Sequence, residues 1–444
     1  MKIVIAGAGE VGSHLARLLS RENQDIIIID DDEDRIEQLD SSCNLLAYVG
    51  LPTSISTLRD AIGSSCDLFI AVTPQENTNI IACTLAKNIG AKRTVARIDN
   101  FEYMKPENSR LFVEHGIDAM IYPEYLAAME ILKSLGRNWV RNWLELHDGE
   151  LIVLGIKIRE NARIAGQSLR QISSENHYYH VSAIKRNQET IIPRGDDRVR
   201  PNDIVYFTTT REHIEGLRQL CGKTKTDIHK VLIMGGSRIA VRLINMAGDK
   251  YKFRIIEMDR NRCEQLAERC PEARITHGDA RNVELLMEEG ITEMDAFVAL
   301  TDSSETNILT SLTAKEYGVR KTIAEVENIQ FISQAENLNI GTIINKKLLA
   351  SGKIFQMLLD ADVESSKFMA LADADVAEIE VKAGAKVTRD AVKSLSLPHD
   401  MTIAGLIRNG HGMLVSGNTR IQAGDQVLVF CLANTIHKIE RLFN

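Results

Sequence analysis

A short apolar run near the start of the chain leads into a glycine-rich segment whose spacing suits phosphate binding. Its six residues, here called the first loop, are Gly7-Ala8-Gly9-Glu10-Val11-Gly12. Gly7 permits a tight turn, Gly9 lets a diphosphate approach the backbone, and Gly12 lets helix and strand pack closely. Free N–H groups and the helix dipole at the start of the following helix favour an anion. The pattern predicts a diphosphate cradle; a glycine turn without a ligand is the alternative.

A carboxylate ends the next predicted strand, where adenosine would lie. Asp30 comes eighteen residues after Gly12 and is followed by Asp31. An acid at this position accepts hydrogen bonds from the ribose hydroxyls and repels a 2′-phosphate. We therefore expect NAD(H), with ATP or ADP as further candidates, in preference to NADP(H). Asp31 is included among the candidate contacts.

A second glycine segment is altered at the position that matters most for a diphosphate. This second loop reads Gly235-Gly236-Ser237-Arg238-Ile239-Ala240. The final alanine is tolerated, but Ser237 replaces the glycine that makes room for the phosphates, and its Cβ would crowd them. We expect a weaker site that holds a smaller nucleotide or nothing, or a copy kept for packing. Its candidate residues are Gly235, Ser237, Arg238, Ile239, Glu257, Asp279 and Thr301.

Polar residues at the ends of later strands are further candidates. Thr73 and Thr301 end the two fourth strands, where ligands meet open α/β sheets. The residues 77–79 begin the next helix, either as N-caps or as ligand contacts. Arg97 could neutralise a phosphate, and its counterpart is Glu325. The exchange suggests that the two sites handle charge differently, although a surface position without a role is the alternative for Arg97.

These candidates recur because a whole domain is duplicated. Residues 71–100 and 299–328 align without a gap, and eleven of the thirty positions are identical. Around each copy, short apolar runs alternate with amphipathic stretches, which predicts two Rossmann-like, doubly wound parallel sheets of the α/β class. Strands are predicted at 2–6, 25–30, 45–49, 67–72, 93–98 and 118–121, with helices between them. Each sheet is followed by a long apolar helix, Glu124–Leu135 or Lys346–Leu359, interpreted as a crossover or dimer-facing helix.

Each Rossmann-like domain is followed by a smaller module of different character. Residues 144–210 read as short strands joined by turns, and the stretch after Asp375 repeats them, with matching turns at Asn187 and Asn409. We predict four domains: 1–143 and 225–370 as nucleotide-binding domains, and 144–224 and 371–444 as small α+β modules.

Composition excludes several classes of protein. The net charge of −8 over 444 residues gives no drive toward nucleic acid or anionic lipid. The seven cysteines are scattered, without a C-x-x-C pair, which is typical of reduced thiols in a cytosolic protein. No secretory signal and no membrane span is expected. His177 and His180 alone make a poor metal site, so no metal is expected.

No catalytic signature accompanies the glycine loops. The sequence contains no G-x-S-x-G, H-E-x-x-H or P-loop lysine motif. A sensor is therefore favoured over an enzyme, with no catalytic residues. An NAD-dependent oxidoreductase is the main alternative, but it needs an acid–base residue facing the nicotinamide. A redox-sensing DNA-binding repressor would need a basic recognition helix, and none is evident in this acidic chain.

The whole chain resembles the TrkA family of regulatory subunits of bacterial Trk potassium uptake systems, built from two RCK (KTN) units. The resemblance rests on IAGAGEVG at 5–12, ENTNIIAC at 76–83, ARI at 96–98, IYPEYLAA at 121–128 and HGDARNVELLMEEGI at 277–291. It implies a homotetrameric ring, cytoplasmic and peripheral to the inner face of the membrane, on a potassium-translocating subunit of the TrkH/TrkG kind. It also implies gating by a nucleotide in the first half.

The family pattern matches this chain at Gly7, Gly9, Gly12, Asp30, Thr73 and Arg97. It departs at Leu51, where the family usually has a polar residue near the adenine edge. This departure affects the adenine contact and leaves the phosphate cradle intact. Which nucleotide activates, whether the second loop is occupied and whether the small modules bind another effector all stay open.

Overall fold

The structure is a computed structural model, and it is built of two compact units. It describes residues 1–20, 24–40, 45–175, 178–187, 189–224, 227–359, 367–371, 374–432 and 442–443. Unit 1 comprises Met1–Leu135 and Ile228–Met357, and unit 2 comprises Gly136–Asp227 and Leu358–Asn444. Each unit therefore draws on both halves of the chain.

The first half of unit 1 alternates strands with helices, as predicted. Its strands are β1 (Lys2–Ala6), β2 (Asp25–Asp30), β3 (Leu46–Val49), β4 (Cys66–Ala71), β5 (Ala91–Arg97) and β6 (Ala119–Ile121). Its helices are α1 (Glu10–Ser20), α2 (Glu33–Asp40), α3 (Ile55–Ile62), α4 (Glu76–Ile89), α5 (Pro106–Glu114) and α6 (Pro123–Gly136). The predicted bounds of the six strands and of α6 lie within two residues of these.

The six strands form one parallel sheet in the order β3-β2-β1-β4-β5-β6. Because helices cover both faces of such a sheet, its central strands are apolar over most of their length; in β2 the four isoleucines between Asp25 and Asp30 are all buried. The strand order reverses between β1 and β4. The carboxyl ends of these two strands therefore open the crevice in which ligands of doubly wound sheets bind.

The segment Gly136–Asp227, which separates the two halves of unit 1 in sequence, belongs to unit 2. The first small module contains β7 (Asn142–Leu146), β8 (Leu151–Lys157), α7 (Leu169–Glu175), β9 (Tyr179–Arg186), β10 (Glu189–Ile191), β11 (Ile204–Thr209) and α8 (Ile214–Leu220). Its strands lie in the order β10-β9-β11-β8-β7, and every neighbouring pair is antiparallel.

The second half of unit 1 repeats the first. Its strands are β12 (Lys230–Met234), β13 (Lys252–Glu257), β14 (Arg274–His277), β15 (Ala296–Ala299), β16 (Lys321–Glu325) and β17 (Thr342–Ile344). Its helices are α9 (Arg238–Ala247), α10 (Arg260–Arg269), α11 (Val283–Glu288), α12 (Ser304–Glu316), α13 (Ile332–Asn337) and α14 (Lys346–Leu359). The order β14-β13-β12-β15-β16-β17 is that of the first sheet, so the duplicated doubly wound fold is confirmed.

The helix that follows each sheet packs against the other half. On α6, Ala127, Ala128 and Ile131 are fully buried in one cluster with Leu243 of α9. In the opposite direction, Ser351 of α14 donates a hydrogen bond to the carbonyl oxygen of Val11 on α1, at 3.4 Å. The crossover interpretation of these helices is thus confirmed, and the crossover takes place within one chain.

The second small module repeats the strand framework of the first. It contains β18 (Lys367–Leu371), β19 (Ala374–Glu380), β20 (Met401–Arg408), β21 (His411–Leu414) and β22 (Gln426–Leu432), in the order β18-β19-β22-β20-β21. The predicted turns at Asn187 and Asn409 have φ of 56° and 53°, a left-handed conformation that asparagine tolerates.

One ion pair is reproduced almost atom for atom in both modules. Arg186 binds Asp203 at 2.9 and 2.7 Å, and Arg408 binds Asp425 at 2.8 and 2.7 Å. Burial acts to raise the pKa of Asp425, but the hydrogen bonds from Arg408 and from the backbone N–H of Gln422, together with the charge of Arg408, lower this pKa overall. The two modules also share a buried cluster, to which Leu151 and Phe430 contribute. Unit 2 is therefore a pair of like modules.

Most of the cysteines lie among the residues that the structure describes. Six cysteines lie there as free thiols, and all except Cys263 are buried; Cys43 and His177 lie outside these residues. Burial raises the pKa of Cys66 and Cys270 to about 11. Within the same residues, no helix combines the length and apolar character that crossing a bilayer requires.

Candidate functional site

The three glycines of the first loop meet different steric demands. Gly7 has a φ of +110°, which side-chain-bearing residues rarely adopt, and a Cβ on Gly12 would lie 1.8 Å from the carbonyl oxygen of Gly7. At Gly9, by contrast, a Cβ would meet no atom within 4 Å. The glycines at 7 and 12 are therefore needed by the fold itself. The glycine at 9 borders open space.

The carboxylate expected to bind ribose also holds the loop. Asp30 is buried, and its Oδ2 accepts a hydrogen bond from the backbone N–H of Ala8 while its Oδ1 accepts one from Asp32 at 3.0 Å. In the second half, Glu257 accepts from the N–H of Gly236 at 2.6 Å and from that of Asp259 at 2.8 Å. The acid at the end of each second strand thus clamps the turn of its glycine loop.

The acids that hold the two loops differ in side-chain length, and the loop residues that they bind differ in size in the opposite sense. Glu257 is one methylene longer than Asp30, and Gly236 is one methyl smaller than Ala8. A Cβ on Gly236 would lie 3.1 Å from Glu257 Oε2 and 2.3 Å from Leu266 Cδ1. The longer acid and the smaller loop residue therefore occur together because they share one space.

The other residues of the first loop lie in different environments. Val11 is buried, so only its backbone can face a ligand, whereas Glu10 and Asp31 are exposed. Leu51 is also exposed, beyond the end of β3. The structure brings Glu10, the turn at Ala8 and the carboxylate of Asp30 together at the carboxyl edge of the sheet.

The second loop borders a well-formed cavity. This cavity has a volume of about 610 Å³ and is lined by Gly235, Ser237, Arg238, Glu257, Asp279 and Thr301, among others. Ser237 is the N-cap of α9, and its hydroxyl accepts from the N–H of Ala240 at 3.4 Å. Ile239 is buried, and Asp279 is bound by Arg281, which lowers the pKa of Asp279. The serine that was expected only to crowd phosphates thus also begins the helix.

Thr73 and its neighbour Asn79 tie two strand ends together. The side-chain oxygen of Asn79 accepts from the N–H and hydroxyl of Thr73 at 2.9 and 2.7 Å, and its amide donates to the carbonyls of Thr73 and Arg97. Asn307 makes the same four bonds to Thr301 and Glu325. The N-cap prediction for this residue type is wrong at Asn79, because the N-cap of α4 is Gln75.

Arg97 and Glu325, the last residues of β5 and β16, carry the charge difference predicted from sequence. Arg97 is 19% exposed and lies 3.6 Å from Asp99, and its Nε is buried without a hydrogen-bond partner. Glu325 is buried and lies 3.1 Å from Lys346. Burial raises the pKa of Glu325, although Lys346 opposes this. Arg97 is thus not an ordinary surface residue, and its orphaned donor can bind an anion.

Each glycine loop is contacted by a charged residue from the other half, with the signs exchanged. Glu10 of the first loop pairs with Lys347 at the start of α14. Arg238, the counterpart of Glu10, pairs with Glu124 at the start of α6, at 3.1 Å. Arg238 also lies 3.5 Å from Asp99. Each loop therefore depends on a residue that is distant in sequence.

Sequence reasoning missed Glu124 and Lys347 as neighbours of the loops. Both lie one or two residues into the long helices that were recognised as crossover elements, yet nothing local indicates where such a helix docks. A signal was present in the repeat. Glu10 and Arg238 are equivalent positions of opposite charge, and Glu124 and Lys347 also carry opposite charges at equivalent positions.

Comparison with known proteins identifies the family. The model described as the TrkA-N domain matches residues 3–123 and 231–346, and the TrkA-C domain matches residues 153–222 and 376–444. The "Trk system potassium uptake protein TrkA homolog" of Archaeoglobus fulgidus is 31% identical over 446 residues, with all of both chains covered. TrkA of Halomonas elongata is 29% identical, covering 100% of this chain and 98% of the relative.

Solved structures agree at the level of the fold. The structure described as "GsuK channel bound to NAD" has a TM-score of 0.60 at 14% identity, covering 100% of this chain and 78% of that one. The GsuK RCK domain has the same TM-score and identity, with 94% of its chain covered. Both domain models match twice and relatives align over the full length, so the chain belongs to the TrkA family of Trk system potassium uptake proteins.

Proposed function

We propose that this chain is the nucleotide-sensing regulatory subunit of a potassium uptake system. It binds NAD(H), ATP or ADP at the first loop, without catalysis, and controls a potassium-translocating membrane subunit of the TrkH/TrkG kind. The observation that carries the proposal is the open space at Gly9, bordered by a loop that Asp30 clamps. Family membership supports the role in potassium uptake.

The proposed first site consists of Gly7 to Gly12, Asp30, Asp31, Thr73 and Arg97. Backbone N–H groups at the start of α1 would hold the diphosphate, and Asp30 retains acceptor capacity for ribose. The unpaired Nε of Arg97 supports a further phosphate contact. Structural neighbours described as bound to NAD and to ADP are consistent with such ligands. We propose the second site, around Gly235, Ser237, Glu257 and Asp279, as a weaker one.

The same proposal covers organisation and assembly. The domain bounds are those predicted from sequence: 1–143, 144–224, 225–370 and 371–444. Four chains form a ring at the cytoplasmic face of the membrane subunit, and the chain itself stays in the cytoplasm. A nucleotide can shift such a ring only by the difference between its affinities for two conformations, typically about 1–3 kcal/mol.

The test is calorimetric titration of the full chain with NADH, NAD, NADPH, ATP and ADP. Gly9→Trp fills the open space of the first loop. Gly216→Trp is the matched control, because a Cβ at Gly216 on α8 also meets no atom within 4 Å. We expect NADH or ATP to bind with at least tenfold preference over NADPH, and we expect Gly9→Trp alone to abolish binding at the first loop.

Two outcomes would contradict the proposal. Binding that Gly9→Trp leaves unchanged would move the sensor away from the first loop. Absence of binding for every nucleotide would leave a scaffold. The partnership is tested separately, by co-purification with the membrane subunit of the same system and by the mass of the assembled ring.

A further inference from the structure

A second cavity in unit 1 is lined by an unusual number of cations. It has a volume of about 610 Å³ and lies between the segment after β5 and the helices α9 and α10. Its wall includes four arginines of the second half: Arg238, Arg242, Arg262 and Arg269. We call it the arginine cavity.

The first half of unit 1 supplies the opposite wall. Lys105 adds a fifth cation, and Asp99 and Glu102 are the carboxylates among the lining residues. Phe101 supplies an aromatic surface, over which the Arg242 guanidinium lies at 3.6 Å from the ring centroid. Five cations thus face two carboxylates, which leaves the cavity with an excess of positive charge.

Most of these arginines lack an acidic partner. Arg238 is held by Glu124 and Asp99, as described above. Within the described part of the chain, the guanidinium groups of Arg242, Arg262 and Arg269 form no ion pair with a carboxylate, whereas that of Arg238 forms two. Arg262 donates through Nε to the carbonyl of Gly236 at 2.8 Å, and the Nε of Arg242 is buried without any hydrogen-bond partner. An unpaired buried donor beside a cationic cavity indicates a missing anion.

We propose that the arginine cavity binds phosphate groups. Guanidinium groups present paired donors that match phosphate oxygens, and a cavity of this volume takes a small molecule. Arg238 and Arg262 line both this cavity and the cavity of the second loop. The phosphates can therefore come from two sources, the terminal phosphates of a nucleoside triphosphate on the second loop or a free polyphosphate ion.

A nucleoside triphosphate on the second loop rests on the proposed function, whereas a free polyphosphate ion does not. In either case the anion would compete with Asp99 for Arg238. Because Asp99 also lies 3.6 Å from Arg97, the occupant of the arginine cavity changes the charge that surrounds an arginine of the first site. The cavity is placed to sense phosphate separately from the first loop.

The experiment uses the full chain carrying Gly9→Trp, so that the first loop is blocked, and titrates it with sodium tripolyphosphate, ADP and ATP. Arg242→Gln and Arg269→Gln remove cations from the cavity, and Arg242→Lys keeps the charge. Arg320→Gln is the matched control, because Arg320 is exposed and precedes β16, at the opposite edge of the sheet. Circular dichroism verifies that each variant is folded.

We expect each Gln variant to weaken phosphate binding about tenfold, a loss of about 1.4 kcal/mol, and Arg242→Lys to weaken it less. Tripolyphosphate binding that depends on Arg242 identifies a free anion as the occupant. ATP that binds more tightly than ADP only while Arg242 is present identifies the nucleotide source. The proposal is overturned if no phosphate probe binds, or if binding is the same in the Gln variants and the control.

NADH titration of the chain with an intact first loop keeps the two proposals apart. If NADH binds there while the phosphate probes ignore Arg242 and Arg269, the arginine cavity is not a phosphate site and the sensor proposal stands. If NADH fails to bind and tripolyphosphate still depends on Arg242, the reverse holds.

Discussion

Lys347, at the start of α14 in the second half, forms an ion pair with Glu10 in the glycine loop of the first half. The pair spans 337 residues of sequence and has a counterpart of reversed sign, Arg238 with Glu124. The two pairs differ in burial. Glu10 is 59% exposed, whereas Glu124 is 4% exposed.

This difference predicts unequal costs at equivalent contacts. Arg238→Met leaves the buried carboxylate of Glu124 without a cation and should lower the free energy of unfolding by about 2–3 kcal/mol. Lys347 also pairs with Glu327, at 2.9 Å. Lys347→Met should nevertheless cost only about 0.5–1 kcal/mol, because Glu10 is hydrated and Glu327 still pairs with Lys346. Urea unfolding followed by circular dichroism measures both. Equal costs would mean that burial of Glu124 has no energetic weight.

The side chain of Asn79 should be more important for stability than its neighbours. Asn79→Ala removes four hydrogen bonds and leaves buried groups of Thr73 and Arg97 unpaired, so we expect a loss of about 2–4 kcal/mol. Asn77→Ala is the control, since Asn77 lies two residues earlier on the same helix and is exposed. If the thermal unfolding midpoint falls equally in both variants, the hydrogen bonds by which Asn79 joins the ends of two strands do not stabilise the fold.

Asp30 is paired with Ala8 in the first half, and the longer Glu257 is paired with the smaller Gly236 in the second half. Substitution can test whether the two members of each pair share one space. Gly236→Ala should destabilise unit 1 by about 1–2 kcal/mol, because the added Cβ meets Leu266 and Glu257. Adding Glu257→Asp should recover much of this loss, since Ala8 and Asp30 coexist in the first half. The measurement is a double-mutant cycle on urea unfolding, and strictly additive effects would contradict the shared space.

Arg97 should determine how the first site ranks its ligands. NAD, NADH, ADP and ATP carry different charges, and the unpaired Nε of Arg97 can respond to them. Arg97→Ala should weaken the more highly charged ligands most, about tenfold for ATP, by loss of a charge-assisted hydrogen bond. Calorimetric titration with the four ligands tests this. If all four keep their relative affinities, Arg97 does not read charge.

His180 should make the stability of unit 2 depend on pH. Burial lowers the pKa of His180 to about 4, and its Nε2 lies 3.0 Å from the Thr402 hydroxyl. Well above pH 6.5, the ordinary pKa of histidine, the ring is neutral in both states and has no effect. As the pH falls toward 4, the unfolded chain takes up a proton that the folded one does not. The free energy of unfolding should therefore fall by about 1–3 kcal/mol. The lower part of this range applies if the partly exposed ring is screened by water.

His180→Gln should flatten this part of the pH profile, and His411→Gln, at an exposed position in the same unit, should not. Both tryptophans, Trp139 and Trp143, belong to unit 2, so tryptophan fluorescence reports on its unfolding. Profiles that run parallel from pH 7 to pH 4 in the His180 variant and the parent would refute the assignment.

Much of this fold can be predicted from sequence because its signals are local. Apolar runs such as that of β2 define the strands, and the glycines at 7 and 12 meet steric needs that arise within a single turn. The role of Asn79 is harder to predict, since an asparagine near a helix start normally suggests a cap. The contacts of Glu124 and Lys347 depend on tertiary packing, for which the period of a helix gives no partner.

The exchange of charge between the halves has a consequence for how chains find one another. If two first halves from separate chains paired in the same geometry, Glu10 would face Glu124, and two second halves would bring Arg238 against Lys347. Like charges would meet at both loops in either arrangement. Only a first half joined to a second half satisfies all four residues. At these contacts the two halves are therefore no longer interchangeable, although they descend from one repeated sequence.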